Sequence, residues 1–480
     1  MKEMEKFSFN QDELVDEAQK LFNELFPICR SITGNGVRKS LDILKKVTEF
    51  DVKEIPSGTQ CYDWEIPNEW NIDDAYIEDN DGNKIIDFQK SNLHVVNYSI
   101  PINKWVSFEE LKIHLHTLQN LPDAIPYRTT YYNQDWGFCL SYNDFCKLDK
   151  EKKYHVVINS TLKSGSLSYG EYKIQGNSGK EFIFSSYCCH PSLANDNLSG
   201  TVLWILLLKI LKNSKLKHSY RFALVPETIG AIAYLAKNEK EMKKVNGGYV
   251  LTCVAGPSKF SYKPTFSENN FIDKIVHETF KESKIDYTTH SFDINGSDES
   301  HFSAPFFRIP VGTICRDKYY EFDYYHTSLD NLDFVKSKNL IETLEMYLQI
   351  ISKLEESEIP DVKDGKNTEI KRDSKNMTLK SLNPYCEPML SKRNLYPSIG
   401  GQIAQRAVNF TKDHRLRKYQ EKNNEIKYSG EIIDAISWLM FYADEQSTIK
   451  DISIKSGLPE DLLEKVTKIL VDSNLVIVKN

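Results

Sequence analysis

Two apolar runs, Phe182-Ile183-Phe184 and Thr201 to Leu208, bracket a polar stretch. It begins Cys189-His190-Pro191-Ser192 and ends Asp196-Asn197-Leu198-Ser199-Gly200. The first run reads as a buried strand and the second as the start of a buried helix. A strand that closes on an imidazole and a helix that opens beside a carboxylate point to an α/β fold. In open α/β sheets, ligands occupy the crevice beyond the strand carboxyl ends. A histidine and an aspartate brought there on one tight loop suit a hard-to-borderline cation such as zinc.

The chain has 480 residues, enough for about three domains. Its 40 % hydrophobic and 27 % charged residues are ordinary for a cored soluble protein. A net charge of −7 argues against broad attraction to nucleic acid or acidic membranes. The amino-terminal Met1-Lys2-Glu3-Met4-Glu5-Lys6 has no apolar signal core, and Val202 to Leu208 is far short of a membrane span. The nine cysteines are scattered and include no Cys-x-x-Cys knuckle, so a reducing cytoplasm is the expected location.

Helical spacing of Leu14, Ala18, Leu21, Phe22 and Leu25 predicts an amino-terminal helix, with a second from Val37 to Val47. Residues 55–145 change character, with short strand-like runs and hairpin-turn chemistry at Asn80-Asp81-Gly82-Asn83, and are expected to form an inserted β-rich lid. From about Tyr154, strands at Glu181–Cys188, Tyr220–Val225, Gly248–Val254 and Ile309–Cys315 alternate with helices, which predicts a mixed sheet flanked by helices. A striped helix from Lys338 to Leu354 closes that α/β domain, expected to comprise 1–54 and 146–356. Residues 357–424 read as linker and excursion. The order of helices and a terminal strand over 425–480 resembles a winged helix-turn-helix, with Pro459 in a first turn. Its acids outnumber its lysines, which favours a structural or self-association role, and so a homo-oligomer, over DNA binding.

Two more strand ends carry chemistry. Val225-Pro226-Glu227-Thr228 sets a glutamate beside the metal loop, where it can act as general base or cap the next helix. Tyr325-His326-Thr327 places a second histidine in a loop rather than on a core stripe. Gly296-Ser297-Asp298-Glu299 offers paired acids, which suit a substrate amine or a solvated turn. Arg316 suits a substrate carboxylate or a structural ion pair.

In this order, His190, Asp196 to Gly200, Glu227 to Gly230, Ser297-Asp298 with Phe302, and Tyr325-His326-Thr327 resemble the motifs of the zinc aminopeptidases, a clan that includes glutaminyl cyclases. Phe26 to Gly34, Cys189 to Ser192, Leu251 to Val254 and Cys386-Glu387-Pro388 resemble more closely a bacterial group described as polysaccharide biosynthesis proteins with an aminopeptidase-like domain. The resemblance implies a zinc exopeptidase-like fold. It makes His190 and His326 metal ligands, Asp196 a carboxylate that bridges two zincs in the aminopeptidases, and Glu227 the general base. Three positions depart from it. Ser192 stands where an orienting aspartate is expected, Thr228 where a glutamate ligand is, and Cys253 where an aspartate ligand is. The expectation is one zinc held by His190, Asp196 and His326, with a second admissible and Cys253 either a thiolate ligand or a buried core residue. The activity implied is amide or peptide hydrolysis on a small peptide or an amide-bearing sugar, tied to surface-polysaccharide pathways. The competing expectation, supported by the lost carboxylates, is a catalytically degenerate scaffold or binding protein.

Overall fold

The computed structural model describes residues 7–361, 377–393, 395 and 430–479. Its centre is an eight-stranded mixed sheet in the order Asp51–Pro56, Ser166–Ile174, Ser219–Val225, Glu181–Tyr187, Gly247–Val250, Val311–Arg316, Phe260–Lys263, Tyr287–Thr289. The four middle strands are mutually parallel, and both flanks include antiparallel pairs. Strands Glu181–Tyr187 and Ser219–Val225 are buried along their whole length. That is why they read as continuous apolar runs rather than alternating ones. Parallel neighbours need crossovers, and the helices Gly200–Lys212, Ile229–Lys237 and Phe271–Ser283 lie where the sequence predicts them.

The Gly200–Lys212 helix is apolar nearly all round because it is covered on both sides. Trp204 stacks edge-on to Phe50 and Phe222, in one core with residues of the Gln11–Leu25 and Ser337–Glu356 helices. Gly200 approaches the sheet so closely that a Cβ there would lie 2.1 Å from the Leu251 carbonyl oxygen. This closeness seats the start of the helix against the next strand end.

The insertion forms a four-stranded antiparallel sheet with its own core, in the order Lys84–Asp87, Glu69–Asp79, Lys153–Lys163, Ile102–Ser107. It runs past the boundary at 145 read from sequence, because Lys153–Lys163 pairs with Glu69–Asp79 along its length. At the carboxyl end, helices Gly430–Phe441, Ile449–Ser456 and Glu460–Asp472 pack on a three-stranded sheet. Its middle strand is Thr378–Ser381, from within the stretch expected to be linker; 362–376, 394 and 396–424 of that stretch lie outside the described residues. Among the described residues, no helix is long and apolar enough to cross a membrane.

Candidate active site

His190 and Asp196 sit in the loop between strand Glu181–Tyr187 and helix Gly200–Lys212. Glu227 follows strand Ser219–Val225, and His326 lies in the long loop after strand Val311–Arg316. All these strands are parallel, so their carboxyl ends share one edge and the four side chains meet there. His326 Nε2 lies 3.0 Å and His190 Nε2 3.9 Å from Asp196 Oδ2. Glu227 Oε2 is 3.7 Å from His190 Nε2. One ligand atom from each of His190, Asp196 and His326 lies within 4.8 Å of the other two.

Several contacts hold this geometry. The Tyr187 hydroxyl donates to Asp196 Oδ1 at 2.5 Å and lies 2.7 Å from the Thr252 hydroxyl. The Asp330 carboxylate accepts from the backbone amides of Asn195 (2.6 Å) and Asp196 (2.9 Å), which pins the loop from 134 residues downstream. Arg30, from the Phe26–Gly34 motif, is buried and donates to the carbonyl oxygens of His190 and Leu25. Ser192, which stands where an orienting aspartate was expected, donates instead to the Phe26 carbonyl oxygen at 2.8 Å. The Tyr325 ring stacks on His326 with centroids 4.0 Å apart. Tyr127, from the insertion, lies 5.1 Å from both imidazoles and donates its backbone N–H to the His326 carbonyl.

The donor set suits a divalent cation. Asp196 Oδ2 and both ring nitrogens of His326 are buried without a hydrogen-bond partner, even though they approach one another. Unpaired buried polar atoms are costly, and two imidazoles with a carboxylate converging on a point are the ligand chemistry of zinc. Burial drives His190 down to about 4, so its ring is neutral and free to ligate at ordinary pH. Burial works to raise Asp196, but His190, His326 and Tyr187 outweigh it and hold the carboxyl below its usual value. Burial pushes Glu227 well above the usual carboxylate range, with Asp196, Asp298 and Glu299 adding to the effect.

The other candidates fall elsewhere. Cys253 lies outside the three-residue group, in an apolar cluster with Cys315, Tyr319, Phe322 and Tyr325, and burial drives its thiol up. Asp298 is fully buried behind the site and accepts the Thr228 amide at 2.8 Å, bracing a residue whose φ of 61° is unusual for a β-branched side chain. Glu299 is not a substrate contact. It accepts from Thr313, Tyr319 and the Ser297 amide, and faces Lys263 at 3.7 Å. Arg316 is not one either, because it pairs with Glu342 at 2.5 Å and lies over the Phe260 ring.

His190, Glu227 and His326 open onto a cavity of about 310 Å³, within the range of small-ligand pockets. The insertion contributes Tyr127, Tyr131 and Tyr132, and the carboxyl-terminal residues contribute Glu387, Ile433, Ile436, Met440 and Phe441. None of those eight was singled out as a site residue from sequence. Only Glu387 carried a signal, through the Cys386-Glu387-Pro388 motif. Tyr187 and Asp330 were also missed as supports. Replacing Tyr187 with phenylalanine removes the hydroxyl bond to Asp196, and zinc affinity is expected to fall about 10–100-fold in a chelator competition.

The profile of a domain of unknown function, DUF4910, matches residues 19–357. A Clostridium acetobutylicum protein, named for polysaccharide biosynthesis and an aminopeptidase-like domain, is 40 % identical over 458 residues, covering 95 % of each chain. A solved structure from the same organism, described as a peptidase, superposes with a TM-score of 0.70 at 38 % identity, covering 98 % of each chain. BSAP, a zinc aminopeptidase from Bacillus subtilis, matches 73 % of this chain and 96 % of its own with a TM-score of 0.54 at 15 % identity, a likeness of fold. The chain belongs to the DUF4910 family and has the aminopeptidase-like fold of the zinc exopeptidases.

Proposed function

We propose that this protein is a zinc-dependent hydrolase that cleaves an amide or peptide bond in a small substrate. The observation that carries the reading is the convergence of His190, Asp196 and His326 within 4.8 Å, with Glu227 on the cavity side 3.7 Å from His190. His190, Asp196 and His326 would hold the ion. When bound there, zinc supplies Lewis-acid polarisation of a carbonyl and an acidified water. Glu227 takes a proton from the attacking water and returns it to the leaving amine. The raised proton affinity of Glu227 suits both halves of that exchange. Tyr187 and Asp330 hold Asp196 in place, and the tyrosines of the insertion limit the room for substrate.

The name of the Clostridium relative supports a link to polysaccharide biosynthesis, so an amide on an amino sugar belongs on the substrate panel beside short peptides. Tag-free protein is expected to carry about one zinc per chain by elemental analysis. Chelation should abolish aminoacyl-anilide or amino-sugar amide cleavage, and added zinc should restore it. A chain that takes up no zinc and cleaves no amide on that panel is the degenerate scaffold instead.

A further inference from the structure

The two cysteines that precede His190 have different surroundings. The Cys188 amide donates to the Val225 carbonyl at 2.9 Å, which carries the strand pairing one residue past Tyr187. Neighbours in extended backbone face opposite sides. Cys188 accordingly belongs to the core that holds Trp204, whereas Cys189 belongs to the cluster on the other face of the sheet and lines the cavity. Ser192, two residues after His190, has turned away to the Phe26 carbonyl and is spent there.

The Cys189 sulfur sits between two groups of the candidate centre. His190 Nδ1 lies 3.5 Å from it, within hydrogen-bonding reach of sulfur, and the Glu227 amide donates to it at 3.3 Å. The other ring nitrogen of His190, Nε2, faces Asp196 Oδ2 at 3.9 Å and Glu227 Oε2 at 3.7 Å, the side on which the three ligand groups converge. A nitrogen that ligates a cation must offer its lone pair, so a ring bound through Nε2 carries its proton on Nδ1. The contacts therefore assign Nδ1–H as donor and the Cys189 sulfur as acceptor. Sulfur is a weak acceptor, but a buried N–H left without any partner costs more than a weak bond returns.

We propose that Cys189 is a positioning residue of the metal centre: its sulfur accepts the Nδ1 proton of His190, which fixes the tautomer and angle of the ring, and accepts the Glu227 amide, which ties the ligand and the base to one atom. The orienting group of this histidine then stands one residue before it, where Ser192 supplies none from two residues after. This rests on the zinc reading for the word ligand, but the tautomer of the ring can be read without metal.

Three substitutions separate an acceptor from a filler of space. Serine keeps a lone pair, alanine removes it, and valine fills the space without one. Chelator competition on the full chain should show zinc affinity about 10–100-fold lower in Cys189→Ala and Cys189→Val, and close to wild type in Cys189→Ser. Nitrogen-15 imidazole spectra of the metal-free full chain at neutral pH report the tautomer, with the His190 signals assigned by their loss in His190→Ala. Wild type and Cys189→Ser should hold the proton on Nδ1, and Cys189→Ala should shift it toward Nε2. Zinc affinity that follows volume, with valine near wild type and serine low, makes Cys189 a packing residue and overturns the assignment. A His190 tautomer indifferent to Cys189→Ala overturns it as well. Wild-type protein that keeps the Nδ1–H ring, loses it in Cys189→Ala and takes up no zinc sinks the zinc reading and keeps the contact. Tight zinc uptake that is indifferent to Cys189→Ala, with the tautomer unchanged, does the reverse.

Discussion

Replacing Glu227 with glutamine is expected to leave the zinc content of the protein unchanged and to lower kcat for amide cleavage by about 10²–10⁴-fold, the usual contribution of a general base. Glutamine keeps the shape of the side chain, so contacts to the rest of the site persist. It cannot accept the water proton, and it relieves the buried negative charges of Asp196, Asp298 and Glu299 that press on this position. The variant should therefore be at least as stable as the wild type while being nearly inactive. Single-turnover assays at saturating substrate separate this loss from one of binding. Wild-type turnover in Glu227→Gln would remove the residue from the chemistry.

Removing His326 strikes the metal instead. His326→Ala leaves His190 and Asp196 as the pair from the original group, with Asp196 Oδ2 buried and its remaining imidazole 3.9 Å away. Zinc affinity should fall by more than the roughly 10–100-fold that loss of an outer partner costs, and activity should fall with it. His326 sits at a φ of 55°, so a backbone effect of the substitution needs its own control. His190→Ala supplies one, because His190 is not among the residues with positive φ, and it should show the same loss. In melting experiments, zinc at about 1,000 times its Kd stabilises a native-only site by about 4 kcal/mol. That gain should be present in the wild type and absent from both variants. A zinc-dependent melting shift that survives in both would place the ion elsewhere.

Much of the site could be read from the sequence because it is built from strand ends. Continuous apolar runs marked the parallel strands, and parallel strands deliver whatever follows them to one edge. His190, Asp196, Glu227 and His326 were legible for that reason, and each stands at such an edge. The supports were not legible, because they reach across the chain. Asp330 holds the Asp196 amide from 134 residues away, and Tyr127 approaches both histidines from another sheet's domain. Neither leaves a local pattern.

That Arg316 takes the structural ion pair, of the two roles its sequence position allowed, has a simpler cause. Successive residues of a strand face opposite sides of the sheet. On strand Val311–Arg316, Thr313 turns toward Glu299, so Arg316 has the parity of Ile314 and faces the Ser337–Glu356 helix, where Glu342 meets it. Proximity in sequence to His326 said nothing about the face. The neighbours Asp298 and Glu299 part company in the same way, one bracing Thr228 and the other closing a buried network with Lys263.

The loop that carries His326 is held largely by the insertion. Tyr127 donates to the His326 carbonyl at 2.8 Å, Ser328 donates to the Ile125 carbonyl at 2.8 Å, and Pro126 bridges to Thr327. Residues 125–127 of the insertion thus brace the histidine loop from outside the inserted sheet's strands. Deleting the insertion from the open α/β sheet and its helices would unmoor the loop that carries one third of the proposed ligand set, so the two parts hold the candidate site jointly.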